Sequence, residues 1–239
     1  MARVAGGAGS HSTLGYASPR YRPDGAVSEL DHPILKQSFA IIDREVDATE
    51  LDWAQYAIAR RAIHATADFE FLQLLRFGDG AIAAGLAALR WGAPIITDAS
   101  MLERAIAPTV RQTFQNPLAN ALEQAPDTES GRTRAAAGME RCLAQHPSGI
   151  YAIGSAPTAL MELCERISAS EAHPALVVGV PVGFVSVVEA KHALAQARVP
   201  QIRVEGRKGG SPVAAAILNA LLGLAWEQQR AETPASGHG

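Results

Sequence analysis

Four short apolar segments, each bounded by turn residues and followed by a helical pattern, constrain the fold of this chain most strongly. Apolar strands that alternate with amphipathic helices are typical of βαβ units, which build a parallel sheet with helices on both faces. The sequence therefore predicts an α/β protein with a three-layer α/β/α arrangement, a mainly parallel central sheet and a Rossmann-like topology. The predicted strands lie within residues 92–98, 149–154, 174–179 and 200–206, and the helices after them lie at 101–106, from 157, at 187–197 and at 211–228.

The length and continuity of the chain predict a single domain. It has 239 residues, of which 48% are hydrophobic, and this is enough for one sizeable core. No internal repeat or low-complexity linker divides residues 31–228, so we expect them to fold together. Residues 1–30 combine arginines with closely spaced prolines and glycines and show little apolar periodicity. We predict that they form a flexible extension and that residues 229–239 form a flexible tail.

Charge and cysteine usage narrow the class of protein. A formal net charge of -3 argues against a general nucleic-acid binder, which would carry a basic stripe. No apolar run approaches membrane-spanning length, and the first fifteen residues lack the apolar core of a secretory signal, so we predict a cytoplasmic protein without a membrane span. Cys142 and Cys164 lie in helical patterns without a second ligand at metal-binding spacing. They are predicted to be buried free thiols, and no metal site is predicted.

The unusual residues of the chain follow the predicted strands. The second strand runs into Ser155 and Thr158, the third into Gly183, and the fourth into a glycine-rich loop that holds Arg207 and Lys208. Ligands of parallel sheets bind outside the carboxyl ends of the strands, where glycines let backbone amides approach closely and helix N-termini favour anions. One glycine turn is weak evidence, but three on one edge predict a ligand with several carboxylates or a phosphate.

Two features of these turns refine that prediction. No strand is followed by Gly-x-Gly-x-x-Gly, and no glycine-rich loop closes in Gly-Lys-Ser/Thr, so a nucleotide cofactor is disfavoured. Asp98 ends the first predicted strand. Its position fits either a helix cap or a residue of the site, and the sequence leaves both open.

Residues 51–75 are rich in alanine and contain neither glycine nor proline, which predicts one long helix. On that helix Arg60, Arg61, His64 and Asp68 would be neighbours. Taken alone, such a cluster fits a solvated charged face as well as a functional site, because titratable clusters mark sites only statistically.

Seven motifs lie along the chain: SFAII at 38–42, RAIHA at 61–65, GAPII at 92–96, TR at 133–134, AIGSAPTAL at 152–160, GVPVGFV at 179–185 and GRKGGS at 206–211. In this order they resemble the precorrin-8X methylmutases of cobalamin biosynthesis, a family that includes the cobalt-precorrin-8 enzymes. The resemblance covers nearly all of residues 33–224.

The resemblance implies an isomerase that moves a methyl group from C-11 to C-12 of precorrin-8 or its cobalt form, giving hydrogenobyrinic or cobyrinic acid. It also implies a homodimer that uses neither a redox nor a nucleotide cofactor. The family's acid/base histidine falls on His64, its substrate contacts fall on Ser38 and Arg61, and a site arginine falls on Arg134. With the loop residues, the predicted substrate-binding set is Ser38, Arg61, Arg134, Ser155, Thr158, Gly183, Arg207, Lys208, Gly209 and Gly210.

Two other functions remain open from the sequence. One is a non-catalytic carrier that binds a tetrapyrrole and passes it on, although a carrier has no need of an acid such as His64. The other is a phosphate- or nucleotide-binding enzyme on the same architecture, which would lack its usual motif.

Overall fold

The computed structural model describes residues 30–46, 49–125 and 131–232. The predicted extension at 1–30, apart from Leu30, and the end of the predicted tail lie outside these residues. The strands are β1 Leu75–Phe77, β2 Ile95–Thr97, β3 Leu118–Asn120, β4 Ile150–Ile153, β5 Leu176–Gly179 and β6 Gln201–Val204. The helices are α1 Pro33–Glu45, α2 Trp53–Thr66, α3 Phe71–Leu74, α4 Ala81–Arg90, α5 Ser100–Gln112, α6 Ala121–Gln124, α7 Arg134–Gln145, α8 Pro157–Ser168, α9 Val187–Gln196 and α10 Ser211–Glu232.

The six strands form one sheet in the order β1-β6-β5-β4-β2-β3. All pairs are parallel except β1 with β6, which is antiparallel. Helices α2, α4 and α5 pack with α10 on one face, and α7, α8 and α9 pack in series on the other. The predicted three-layer α/β/α fold with a mainly parallel sheet is confirmed.

The central strands are buried on both faces because each supplies apolar side chains to two cores. In β4, Ile150 and Ala152 belong to the core under α10, whereas Tyr151 and Ile153 belong to the core under α7 and α8. Successive side chains of a strand point to opposite faces, so an unbroken apolar run serves both layers. This is why the four apolar segments were strong predictors of the sheet.

The prediction of one helix over residues 51–75 is wrong. Asp52 and Gln55 form a capping box that begins α2, and Ala67 ends it with a left-handed φ of 54°. The chain then makes the short helix α3 and enters β1, where Leu75 pairs with Val204. Pairing with β6 and burial of Leu75 override the local helix propensity of this stretch.

Two further differences concern segments that carry weak sequence signals. The edge strand β3 is only three residues long and lies in a stretch without a recognisable apolar run. Helix α10 continues to Glu232, whose side chain forms an ion pair with Arg90, so the first four residues of the predicted tail, 229–232, are helical. Within the described residues, no helix is long and apolar enough to cross a membrane.

Both cysteines are free and buried, as predicted. Burial raises the pKa of Cys142 to about 11 and, together with the nearby Glu165, that of Cys164 to about 12. Both thiols therefore stay protonated near neutral pH and act as small apolar residues of the core.

Candidate active site

Asp98 lies just after β2 and anchors the turn between β4 and α8. Its side chain is 1% exposed, and its carboxylate accepts hydrogen bonds from the backbone N–H groups of Gly154 at 3.0 Å, Ser155 at 2.7 Å and Ala156 at 2.6 Å. Burial raises the pKa of Asp98, and the three N–H groups act against that rise. Asp98 caps neither its own helix α5 nor α8, because neither helix has a side-chain cap hydrogen bond; it holds instead the turn that precedes α8.

A hydroxyl pair joins the N-termini of α7 and α8. The Oγ1 atoms of Thr133 and Thr158 lie 2.7 Å apart. Arg134, the next residue, is exposed and donates a hydrogen bond from its guanidinium to the carbonyl of Leu122 at 3.3 Å. This pair brings Arg134 next to the turn that carries Ser155.

The glycine turns after β4, β5 and β6 pack against one another. A Cβ atom on Gly154 would lie 2.7 Å from the Cα of Ser211, and one on Gly209 would lie 2.1 Å from the carbonyl oxygen of Val180. The N–H of Gly210 donates to the same carbonyl at 2.8 Å. Only glycine permits this approach, so the three turns form one continuous backbone surface at the carboxyl edge of the sheet.

Lys191 on α9 holds the loop after β6 from the inside. The side chain is 1% exposed, and its Nζ donates to the carbonyl oxygens of Gly206 at 2.8 Å and Lys208 at 2.7 Å. Burial lowers the pKa of Lys191 to about 8, with Glu205 acting against this. Sequence reasoning missed this residue, although a lysine between Val187 and Leu194 on the apolar face of a helix was a usable signal.

An ion-pair cluster connects this loop to the end of α2. The Nζ of Lys208 lies 2.5 Å from a carboxylate oxygen of Asp68 and 3.0 Å from one of Glu70. These two carboxylates raise the pKa of Lys208, and Lys208 in turn lowers the pKa of Asp68. Asp68 and Glu70 therefore support the predicted site from the segment after α2, and they offset the charge of Lys208.

The ring of Phe39 is the centre around which the helical residues gather. Its centroid lies 5.8 Å from that of His64, edge-on at 77°, 4.2 Å from the guanidinium carbon of Arg60 and 5.4 Å from that of Arg61. Phe39 is 1% exposed, whereas the imidazole lies on the exposed last turn of α2. Ser38, its neighbour on α1, donates a hydrogen bond to the carbonyl of Ile34 at 3.1 Å.

Both arginines beside Phe39 are held by carboxylates. Arg60 is buried and lies 2.7 Å from a carboxylate oxygen of Asp43. Arg61 forms an ion pair with the buried Asp31. The buried Arg60 thus has a packing role, and Arg61 remains partly exposed beside His64.

The structure thus sorts the predicted residues, with the supporting Phe39, into two walls. The helical wall consists of Ser38, Phe39, Arg61 and His64. The loop wall consists of Arg134, Ser155, Thr158, Gly183 and residues 206–210. The contact of Lys208 with Asp68 and Glu70 brings the segment after α2 against the loop wall. Sequence reasoning missed the supporting residues Asp31 and Lys191, and it gave Phe39 and Thr133 only as members of the SFAII and TR motifs, without a role.

Comparison with known proteins identifies the family. The precorrin-8X methylmutase family matches the chain over residues 33–224, which is most of its length. The chain belongs to the precorrin-8X methylmutase family. The resemblance carried by the seven motifs is confirmed, and the methylmutase is an isomerase of cobalamin biosynthesis.

Individual relatives agree with this assignment. The methylmutase is 53% identical over 213 residues to the cobalt-precorrin-8 methylmutase of Synechocystis sp., covering 83% of this chain and 98% of that protein. It is 40% identical over 194 residues to the precorrin-8X methylmutase of Pseudomonas aeruginosa, covering 79% and 93%. The crystal structure of the Thermus thermophilus precorrin-8X methylmutase matches with a TM-score of 0.76 and 42% identity, covering 82% of this chain and 96% of that one.

In residues 30–46, 49–125 and 131–232, no three side chains of histidine, cysteine, aspartate or glutamate are grouped closely enough to hold a metal ion.

Proposed function

We propose that this methylmutase moves a methyl group from C-11 to C-12 of precorrin-8 or cobalt-precorrin-8, giving hydrogenobyrinic or cobyrinic acid. The observation that carries the proposal is the grouping of His64 with Arg61 and Ser38 around the ring of Phe39. It combines an exposed imidazole with a cation in the part of the chain where the family resemblance implies the acid/base residue.

The chemistry of the step gives His64 its role. The bond from the methyl group to C-11 breaks and the bond to C-12 forms, so the product is an isomer of the substrate. Protonation of the conjugated ring makes the accepting side poorer in electrons and favours the shift. A histidine with a free pKa of about 6.5 suits this proton transfer near neutral pH, and the proton returns to it when the product forms.

The remaining residues of both walls would bind and orient the substrate. The acetate and propionate arms of the macrocycle are carboxylates, which Arg61, Arg134 and Arg207 can bind. Arg61 can do so while paired with Asp31, because a guanidinium has five N–H donors. Ser155 and Thr158 would contribute hydroxyl groups and Gly209 a backbone donor. The N–H groups of Gly183 and Gly210 already donate to the carbonyls of Arg207 and Val180, so these two glycines would line the site without donating to the substrate. Holding the ring in one reactive pose removes much of the entropic barrier.

We further infer a cytoplasmic homodimer. Several large apolar side chains are exposed in the single chain, including Trp91 at 88%, Phe184 at 86% and Val185 at 81%. Such side chains are favoured in subunit contacts. Analytical ultracentrifugation would test the inference, since a mass of one chain at micromolar concentration would contradict it.

The catalytic proposal is tested by incubating the purified protein with precorrin-8 and, separately, with cobalt-precorrin-8. Many turnovers per chain, followed as the absorbance change to the corrin product, are expected with at least one of them. A carrier would change the spectrum in proportion to protein and then stop. An enzyme that uses a nucleotide or a simple phosphate would give neither response.

A further inference from the structure

Lys191 is a buried cation whose partners are two carbonyl groups of one loop. Its Nζ donates to the carbonyls of Gly206 and Lys208, which are alternate residues of the loop wall. Burying an ammonium group against neutral carbonyls is costly, and a methionine would fill the same space without that cost. The lysine therefore does something that packing of α9 does not require.

The geometry of the peptide bond shows what the lysine does. In a planar trans peptide the carbonyl and the following N–H point in opposite directions. With the carbonyls of Gly206 and Lys208 turned toward Lys191, the N–H groups of Arg207 and Gly209 are turned away from it. Within the described residues, neither N–H donates a hydrogen bond. Two backbone donors on alternate residues are thus left facing away from the buried lysine.

These two N–H groups suit an anion. Alternate amides of a turn converge on one oxyanion, and the guanidinium of Arg207 adds charge to the same loop. Gly209 has a φ of +151° and approaches the carbonyl of Val180 too closely for any side chain. The loop is therefore built around its backbone, as a site of amide donors requires.

We infer that Lys191 is a positioning residue for substrate binding: by holding two loop carbonyls inward, it presents the N–H groups of Arg207 and Gly209 to one carboxylate of the substrate. The inference rests on the proposed function, in which that carboxylate is an arm of the macrocycle. Lys191 itself stays buried and touches no substrate.

Replacing the lysine tests the inference. In Lys191→Met, amide exchange at Gly210, whose N–H donates from the loop to the carbonyl of Val180, should become about tenfold faster, and the product should bind about tenfold more weakly, as for loss of a charged hydrogen bond. The rate at saturating substrate should change less than about twofold, because His64 is untouched. His192→Ala, an exposed neighbour on α9, should change none of these values.

A second control separates positioning from loss of stability. Leu194→Ala removes a buried side chain of the same helix that does not bond the loop carbonyls. It should destabilise the protein without weakening product binding. Equal weakening in Leu194→Ala and Lys191→Met, or unchanged binding and exchange in Lys191→Met, would overturn the inference.

The wild-type protein gives an independent test that does not depend on folding of a variant. Titration with hydrogenobyrinic acid should shift the amide proton resonances of Arg207 and Gly209 downfield, as expected for hydrogen bonds to a carboxylate. Unmoved resonances of both, while other site residues respond, would overturn the inference. If the wild-type protein binds no product at all, the proposed function fails, and the exchange at Gly210 alone decides whether Lys191 holds the loop.

Discussion

The helical wall and the loop wall both hold groups at a surface, but different kinds of contact hold them. In the helical wall, side chains hold side chains: Phe39 packs against His64 and Arg61, and Asp31 pairs with Arg61. In the loop wall, buried charges hold the backbone. Asp98 accepts hydrogen bonds from three N–H groups, and Lys191 donates hydrogen bonds to two carbonyls.

Because of this difference, we expect substitutions in the two walls to have different effects. An exposed side chain on a regular helix can be removed with little effect on folding, so its loss reports on chemistry. A buried charge that organises a turn cannot be removed without orphaning its backbone partners, so its loss reports on stability and binding. The role of each wall can therefore be tested separately by substitution.

The largest expected effect is on the rate, from His64→Ala. Loss of the acid should lower turnover by at least about 100-fold, the lower end for general acid catalysis. Product affinity should change little, because the binding groups remain. His192→Ala is the matched control, as both histidines lie exposed on helices. Near wild-type turnover in steady-state assays of His64→Ala would remove this residue from the mechanism.

The next effect is on stability, from Asp98→Ala, which removes the acceptor that holds the Ser155 turn of the loop wall. Three backbone N–H groups, of which that of Gly154 is buried, would lose their acceptor, which should lower the free energy of unfolding by about 3 to 5 kcal/mol. Urea denaturation measures this change. Asp79→Ala, at an exposed aspartate before α4, should cost less than about 0.5 kcal/mol. If Asp98→Ala lowered the free energy of unfolding as little as Asp79→Ala, the turn would not depend on Asp98.

The buried lysine should make stability depend on alkaline pH. Because its pKa falls from 10.5 to about 8 in the folded state, the unfolded chain holds a proton between these values that the folded chain has released. The free energy of unfolding should therefore rise across this window, relative to Lys191→Met, by at most about 3 kcal/mol. Urea denaturation of both proteins from pH 7 to 10.5 measures the difference. A constant difference across the window would show that the pKa of Lys191 is not lowered.

The contrast between exposed groups and buried supporting charges also explains how much of each wall the sequence predicts. The exposed groups of both walls could be named from motifs, since Ser38, Arg61 and His64 lie in short recognisable strings. The partners of the supporting charges Asp98 and Lys191 could not be named. Asp98 and the turn it holds are more than fifty residues apart, and Lys191 meets its partners only through the packing of α9 on the sheet.

The fold divides in a similar way. The central strands are predictable because burial on both faces makes them continuously apolar. The edge strands β1 and β3 are three residues long and depend on a neighbour for their hydrogen bonds. In residues 51–75, local propensity favours a continuous helix, but pairing of β1 with β6 favours a strand at the end of the segment. The strand is the structure that forms.

The smallest expected effect comes from Asp68→Asn, which weakens the contact between the segment after α2 and the loop wall. In the wild-type protein, Asp68 and Glu70 offset the charge of Lys208. Removing one carboxylate leaves the cation more available and reduces repulsion of the anionic arms. Product affinity should rise about two- to threefold at low salt and return toward the wild-type value at high salt, since exposed charges are screened. Calorimetric titration at two salt concentrations measures this, with Asp79→Asn as the control. Weaker binding in Asp68→Asn would show instead that the ion pair positions Lys208, so that the loop wall also depends on side-chain contacts from the segment after α2.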